Sequence, residues 1–221
     1  MNEKVLDILE KVKTEYSNYN TILVFGSATT EGWTGQSDID VFLIDDAFND
    51  SRSEKEYDGI LVEFQEDNFE TIKKHMDEER GNLLHRNLSN MIATATVVAT
   101  KSPEKIDELV DFAKEILASR PNYDEEDVKM WRYSILDYLG KVEKDIQRND
   151  EIAFYIDAHY VLQNALEMSL AIHETYMPQP KNLAKLLDEK DPEFLQIWLD
   201  YLRASDLNEK LEALNRIKDI N

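Results

Sequence analysis

A Gly-Ser pair and an Asp-x-Asp pair near the start of this chain constrain its fold more than any other feature. Gly26 and Ser27 directly follow the apolar run 22–25, and Asp38-Ile39-Asp40 lies eleven residues after Ser27. Side chains alternate between the two faces of a strand, so Asp38 and Asp40 would point one way and Ile39 into a core. The pattern predicts two strands with a pair of acids at their edge.

Two carboxylates that face the same way repel each other unless a cation lies between them. Oxygen ligands of this kind suit Mg²⁺, which is commonly shared with substrate phosphates. The Gly26-Ser27 turn can offer backbone N–H groups and a hydroxyl to a phosphate. The combination predicts a site that handles a nucleoside triphosphate through metal ions. An acidic pair alone would be weak evidence in a chain with 46 Asp and Glu residues.

Glu63 is the candidate for a third metal ligand. It interrupts an apolar run, Ile60-Leu61-Val62-Glu63-Phe64. A charge in such a run is costly unless it faces a polar site. The alternative is a solvent-facing residue on an edge strand. Glu66 and Asp67, which follow closely, are weaker candidates.

Composition limits the partners. The net charge of −21 argues against a nucleic-acid substrate, because binding phosphodiesters depends on Lys and Arg. It favours cationic small molecules, although a solvated acidic surface explains it equally well. The chain has no cysteine for disulfides or thiolate chemistry, and no apolar run long enough to span a membrane. The first residues have no signal-peptide pattern, so we expect a cytoplasmic protein.

The order of patterns predicts an α+β protein of two domains. Residues 1–120 would form a small mixed-sheet catalytic domain and residues 121–221 a helical bundle, with Pro121 at the boundary. Strands are expected at 21–25, 38–44, 57–65 and 94–99, with the polar stretch 45–56 as a loop or hairpin connection. Helices are expected at 3–17, from 67, from 103 to about 117, and at 124–148, 151–176, 182–189, 193–203 and 207–219.

The Gly26-Ser27, Asp38-Ile39-Asp40 and Val62-Glu63 elements resemble the antibiotic nucleotidyltransferases of the DNA-polymerase-β-like superfamily. The kanamycin (aminoglycoside) nucleotidyltransferases are the most similar group. The similarity extends to Asp137-Tyr138-Leu139-Gly140-Lys141, which resembles that family's acidic-Tyr-x-Gly-Lys segment.

The resemblance implies a role for each matched residue. Gly26 and Ser27 would hold the triphosphate of ATP or another NTP. Asp38, Asp40 and Glu63 would hold two Mg²⁺ ions. Asp137 would take the proton from the hydroxyl of a small, aminoglycoside-like acceptor, and Lys141 would contact the nucleotide phosphates. A homodimer is also implied. For Asp137 and Lys141, an ordinary i, i+4 ion pair on a helix surface is an equally good interpretation.

The chain departs from the family pattern in three places. The kanamycin-type enzymes have a basic residue shortly after Gly-Ser, where this chain has Ala28-Thr29-Thr30, so that phosphate contact is either missing or supplied by Lys141 or Arg86. Asp40 stands where those enzymes have Glu. Asp137 is shorter than their corresponding acid. These differences bear on the acceptor more than on the chemistry.

Two other functions fit the same fold. A protein AMPylator of a toxin–antitoxin system would use the same acids, but such proteins are often only the small catalytic domain. A non-catalytic nucleotide-binding protein is the other alternative, and the intact set of Asp38, Asp40 and Glu63 argues against it.

Overall fold

The computed structural model describes residues 1–30, 33–47, 50–81, 86–121 and 123–219. Within them the protein is α+β, as predicted, and divides into two compact units. The first unit contains residues 1–81 and 86–119, and the second contains the described residues from 120 onward. None of the described helices combines the length and apolarity that a membrane crossing would require.

The first unit is built on a mixed sheet of five strands in the spatial order β3-β4-β2-β1-β5. β2 and β4 run parallel, and the other neighbouring pairs are antiparallel. The strands are β1 (Thr21–Phe25), β2 (Ile39–Ile44), β3 (Ser51–Tyr57), β4 (Ile60–Asp67) and β5 (Thr96–Thr100).

Helices cover both faces of this sheet. The helices of the first unit are α1 (Glu3–Glu15), α2 (Phe69–Glu79), α3 (Asn87–Thr94) and α4 (Pro103–Ala118). Val5 and Ile8 of α1 pack with Ile39 and Val41 on one face. Phe42 packs on the opposite face with residues of α2, α3 and α4. Because β2 alternates between these two cores, Asp40 belongs to the face that α2–α4 cover.

The second unit is helical. Its helices are α5 (Glu125–Arg148), α6 (Glu151–Ile172), α7 (Pro180–Lys190), α8 (Pro192–Arg203) and α9 (Leu207–Asn215). α5 begins at a capping box between Asp124 and Asp127 and ends at Asn149, whose left-handed backbone (φ 55°) stops the helix. Leu139 of α5 and Phe154 of α6 are buried in a core shared with α7–α9.

The structure corrects several sequence expectations about the first unit. The segment 57–65 is not one strand, because a two-residue turn at Asp58-Gly59 separates β3 from β4, and both turn residues have positive φ. β3 therefore occupies part of the stretch that was expected to be a connection, and six of its seven residues are exposed. A short helix, α3, was also missed, and α2 begins at Phe69, after its cap Asn68, rather than at 67.

Candidate active site

The strand register brings Asp40 and Glu63 together. β2 and β4 are parallel neighbours, and Asp40 is the direct partner of Glu63. Residues paired in this way project to the same face of a sheet. Asp38 immediately precedes β2, two residues before Asp40, so it shares that face. Asp38 and Glu63, which are 25 residues apart in the sequence, therefore meet at one place on the sheet.

The three carboxylates converge. One oxygen of each of Asp38, Asp40 and Glu63 lies within 4.8 Å of the others. Asp38 and Glu63 are exposed, whereas Asp40 is half-buried. Burial, and then the charges of Asp38 and Glu63, raise the pKa of Asp40 to about 6. The concentrated negative charge disfavours ionisation of Asp40, and a perturbed carboxyl group of this kind is typical of a functional site.

Gly26 lies against this cluster. It follows Phe25, the direct partner of Asp40 across β1 and β2. Its φ is +72°, and a Cβ at this position would come within 3 Å of the Asp40 carboxylate. Only glycine fits both conditions. Gly26 also opens a single 3-10 turn (Gly26–Thr29), whose first N–H groups have no partner inside the turn.

A cleft of about 520 Å³ opens over the acids. It lies entirely within the first unit. The side chains on this face that line it are Phe25, Asp40, Arg52, Glu54, Glu63, Gln65 and Met91. A cleft of this size is in the range of small-molecule sites, and its acids converge on one wall.

The sequence matches the family model described as a nucleotidyltransferase domain over residues 5–167. That match covers both the acid cluster and much of the helical unit. The chain belongs to the nucleotidyltransferase domain family. It is therefore a nucleotidyltransferase, and the predicted activity class is confirmed.

A solved structure has a similar fold. A nucleotidyltransferase-like protein from Exiguobacterium sibiricum superimposes with a TM-score of 0.51 and 13% sequence identity. The superposition covers 95% of this chain and 73% of that protein. At this identity the likeness concerns the fold alone. No curated protein gives a significant match to the sequence.

The acid cluster of this nucleotidyltransferase fits a divalent cation. Carboxylate oxygens are the ligands that Mg²⁺ prefers, and three of them lie close enough to share one site. The raised pKa of Asp40 shows that the cluster favours a compensating positive charge. The donor chemistry, the separations and the charge all agree with a metal site.

Three other predicted residues lie outside this cluster. Glu66 accepts hydrogen bonds from the Tyr19 hydroxyl and from Ser53, and Asp67 is buried at the end of β4. Both belong to β4 rather than to the residues after it. Arg86 is 2% exposed, and its guanidinium donates to the carbonyl oxygens of Ile116, Ser119 and Arg80. A guanidinium held in this way stabilises the fold, so the expectation that Arg86 contacts phosphate is wrong.

Asp137 and Lys141 lie on α5 in the second unit. Lys141 Nζ is 2.9 Å from Asp137 Oδ2, and both side chains are about half exposed. Lys141 also lies over the Tyr138 ring, at 4.1 Å from its centroid. The hydrogen bond to Asp137 raises the pKa of the Lys141 ammonium. The i, i+4 pair that the sequence predicts is present, and the catalytic role of either residue stays a prediction.

Arg52 and Glu54, which line the cleft from β3, were not among the residues predicted from the sequence. Glu54 is the direct partner of Glu63, and Arg52 is the direct partner of Gln65. The signal that could have found them is the Asp58-Gly59 dipeptide, which is typical of a two-residue hairpin turn. A hairpin at that position would have made residues 51–57 a strand beside Glu63.

Proposed function

We propose that this nucleotidyltransferase moves a nucleoside monophosphate from an NTP, with ATP as the expected donor, to a hydroxyl group of a small molecule. Pyrophosphate is the second product. One observation carries the proposal: the carboxylates of Asp38, Asp40 and Glu63 converge within 4.8 Å beside Gly26. In this reaction the oxygens of the attacked α-phosphate and the leaving pyrophosphate both carry negative charge, and the cluster is suited to hold cations that offset it.

Different residues of the site would bind the metal ions and the triphosphate. Asp38, Asp40 and Glu63 would hold Mg²⁺, with two ions expected. When bound, Mg²⁺ polarises the phosphoryl oxygens and offsets the charge of the departing pyrophosphate. Gly26 and Ser27 would bind the triphosphate through backbone N–H groups and the Ser27 hydroxyl.

The acceptor side involves a proton transfer. Asp137 would accept the proton of the acceptor hydroxyl, and Lys141 would contact phosphate, as the resemblance implies. The acceptor oxygen then bonds to the α-phosphorus while the bond from that phosphorus to the bridging oxygen breaks. The electron pair leaves with pyrophosphate, and the released proton stays on the Asp137 carboxyl until solvent takes it.

We propose a cationic, aminoglycoside-like acceptor. Glu54 adds a further carboxylate to the cleft beyond the three that would hold metal. The net charge of −21 also favours the approach of cations. A resistance role against such antibiotics would follow from this acceptor, in the cytoplasm where NTPs are available.

We also propose a division of labour between two domains and a homodimer. Residues 1–120 would carry the metal chemistry, and residues 121–221 would serve the acceptor and the dimer. Several large apolar side chains on α5 and α6 are exposed in the second unit, among them Tyr133, Ile152 and Ile156. Exposed apolar residues on neighbouring helices support an association surface. Light scattering coupled to size exclusion would give the oligomeric state directly.

The central experiment measures pyrophosphate release with each NTP, Mg²⁺ and a panel of hydroxyl acceptors that includes aminoglycosides. Release should depend on the metal and on one class of acceptor. Asp40→Asn should abolish it, whereas Asp7→Asn, which removes an exposed charge on α1, should leave it unchanged. If Asp40→Asn retains activity, the proposed role of the cluster is wrong. If no small-molecule acceptor supports pyrophosphate release and a protein substrate does, the AMPylator alternative is correct.

A further inference from the structure

Arg52 lies on the face of the sheet that carries the metal-binding acids. Across β3 and β4, Glu54 pairs with Glu63, and Arg52 pairs with Gln65. Glu63 in turn pairs with Asp40. Directly paired residues, and residues two apart on one strand, share a face. Arg52 therefore lines the same cleft as Asp40 and Glu63.

Arg52 is the one cation among the described residues that line this cleft. Its guanidinium makes no ion pair or hydrogen bond within the described parts of the chain, in a protein where acids outnumber bases by 46 to 25. Lys55, on the same strand but on the opposite face, is 2.5 Å from Glu15 of α1 and lies over the Tyr57 ring. The contrast within one strand indicates that Arg52 is kept available for a ligand.

No other basic side chain among the described residues lines the cleft, so a bound phosphate chain would depend on Arg52 for positive charge. The Gly26-Ser27 turn is followed by Ala28-Thr29-Thr30, with no basic residue. Arg86 is buried and bonded to backbone carbonyls, so it is committed to the fold. A polyphosphate bound among Asp40, Glu54 and Glu63 would meet like charges on several sides. A guanidinium at the cleft wall would offset that repulsion.

We propose that Arg52 binds the phosphate chain of the nucleotide and the pyrophosphate formed from it. The inference rests on the proposed function, because it assigns Arg52 to the nucleotide of that reaction. The planar guanidinium offers two parallel N–H donors to phosphate oxygens, a geometry that Lys cannot match. Arg52 reaches into the cleft from the strand at the edge of the sheet, on the side away from Gly26-Ser27.

The test measures binding rather than turnover. A non-hydrolysable NTP analogue, and separately pyrophosphate, are titrated by calorimetry into the full chain with Mg²⁺ present and no acceptor. Arg52→Gln should weaken both by about 10- to 100-fold, the loss typical of one charge-assisted contact. Arg52→Lys should give an intermediate loss. Lys55→Gln is the matched control, because it removes a cation from the other face of the same strand, and it should bind both ligands as the unaltered chain does.

Circular dichroism should show that each variant is folded. If Arg52→Gln binds the analogue and pyrophosphate as tightly as Lys55→Gln does, the proposal is wrong, and Arg52 is an ordinary charge on an edge strand. If nucleotide affinity is unchanged but the KM for the acceptor rises, Arg52 belongs to the acceptor and the proposal is again wrong. If the unaltered chain binds neither ligand, the proposed function itself fails, which separates that failure from an error about Arg52 alone.

Discussion

Gly26 and Asp40 are fitted to each other: a Cβ atom on residue 26 would come within 3 Å of the Asp40 carboxylate. The contact arises because Phe25, the residue before Gly26, is paired with Asp40 across β1 and β2. The turn that follows β1 therefore approaches the half-buried acid of the carboxylate cluster. Two separate features require glycine at position 26: its φ of +72° and the lack of space for a Cβ atom beside Asp40.

Gly26→Ala should lose metal binding as well as stability. The left-handed backbone should cost about 1 kcal/mol in unfolding free energy. The methyl group should also displace the Asp40 carboxylate from its neighbours. Gly59→Ala is a matched control, because Gly59 has φ +77° but nothing within 4 Å of its Cβ position.

Both variants should show a lower Tm, measured without metal by thermal denaturation. Only Gly26→Ala should also lose most of the increase in Tm that Mg²⁺ or Mn²⁺ produces. An equal response of the two variants to metal would contradict the idea that Gly26 makes room for Asp40.

Asp40→Asn should stabilise the metal-free protein at neutral pH. The pKa of Asp40 is raised to about 6 by burial and by Asp38 and Glu63, whereas an unfolded Asp titrates near about 3.9. Between these values the folded state binds more protons than the unfolded state, so stability falls as the pH rises from about 4 to about 6. The loss should be about 1 to 2 kcal/mol, since solvent screens a half-buried group.

Urea denaturation in the presence of EDTA measures this effect. The advantage of Asp40→Asn over the unaltered chain should be small at pH 4.5 and should reach its full size at pH 7.5. Asp7→Asn controls for the general repulsion in a chain of net charge −21, and it should give a smaller gain. A gain that did not change with pH would contradict the assignment.

Arg86→Met should destabilise the first unit strongly without altering the cluster of Asp38, Asp40 and Glu63. The guanidinium is buried and donates to three backbone carbonyl oxygens, two of them near the end of α4. Removing it leaves these acceptors without that donor, at a cost of about 3 kcal/mol or more. Arg80→Met is the control: Arg80 pairs with Asp77 and Glu115 at the surface, where ion pairs contribute little, so its loss should cost much less than the loss of Arg86. The loss of unfolding free energy is measured by urea denaturation. An equal loss in the two variants would contradict the structural role of Arg86.

The acid cluster was readable from the sequence because its geometry is local. The alternation of Ile39, Asp40 and Val41 fixes which face of β2 each side chain takes, and Glu63 is conspicuous in an apolar strand. The long helices of the second unit were also predictable, since α5 and α6 carry apolar residues at helical spacing over more than five turns.

β3 and the burial of Arg86 could not be predicted, because they depend on tertiary contacts or on weak local signals. β3 is almost entirely polar and exposed, so neither hydrophobicity nor alternation marks it, and its two cleft residues were missed with it. Arg86 was offered as a phosphate contact because nothing in the sequence around it shows that it donates to the carbonyl groups of residues 116 and 119. Burial of a charged side chain by distant backbone cannot be inferred from the spacing of apolar residues.

Asp137→Asn separates the two interpretations of the α5 pair. As a general base, Asp137 should contribute about 10²–10⁴ in rate, so the variant should lose that much kcat in the pyrophosphate-release assay. As half of an exposed i, i+4 pair with Lys141, it should contribute less than about 1 kcal/mol to stability and nothing to rate. Glu126→Gln breaks the comparable surface pair with Lys129 on the same helix and controls for loss of charge. A kcat for Asp137→Asn equal to that of Glu126→Gln would leave the pair as a surface contact and move the search for the base elsewhere.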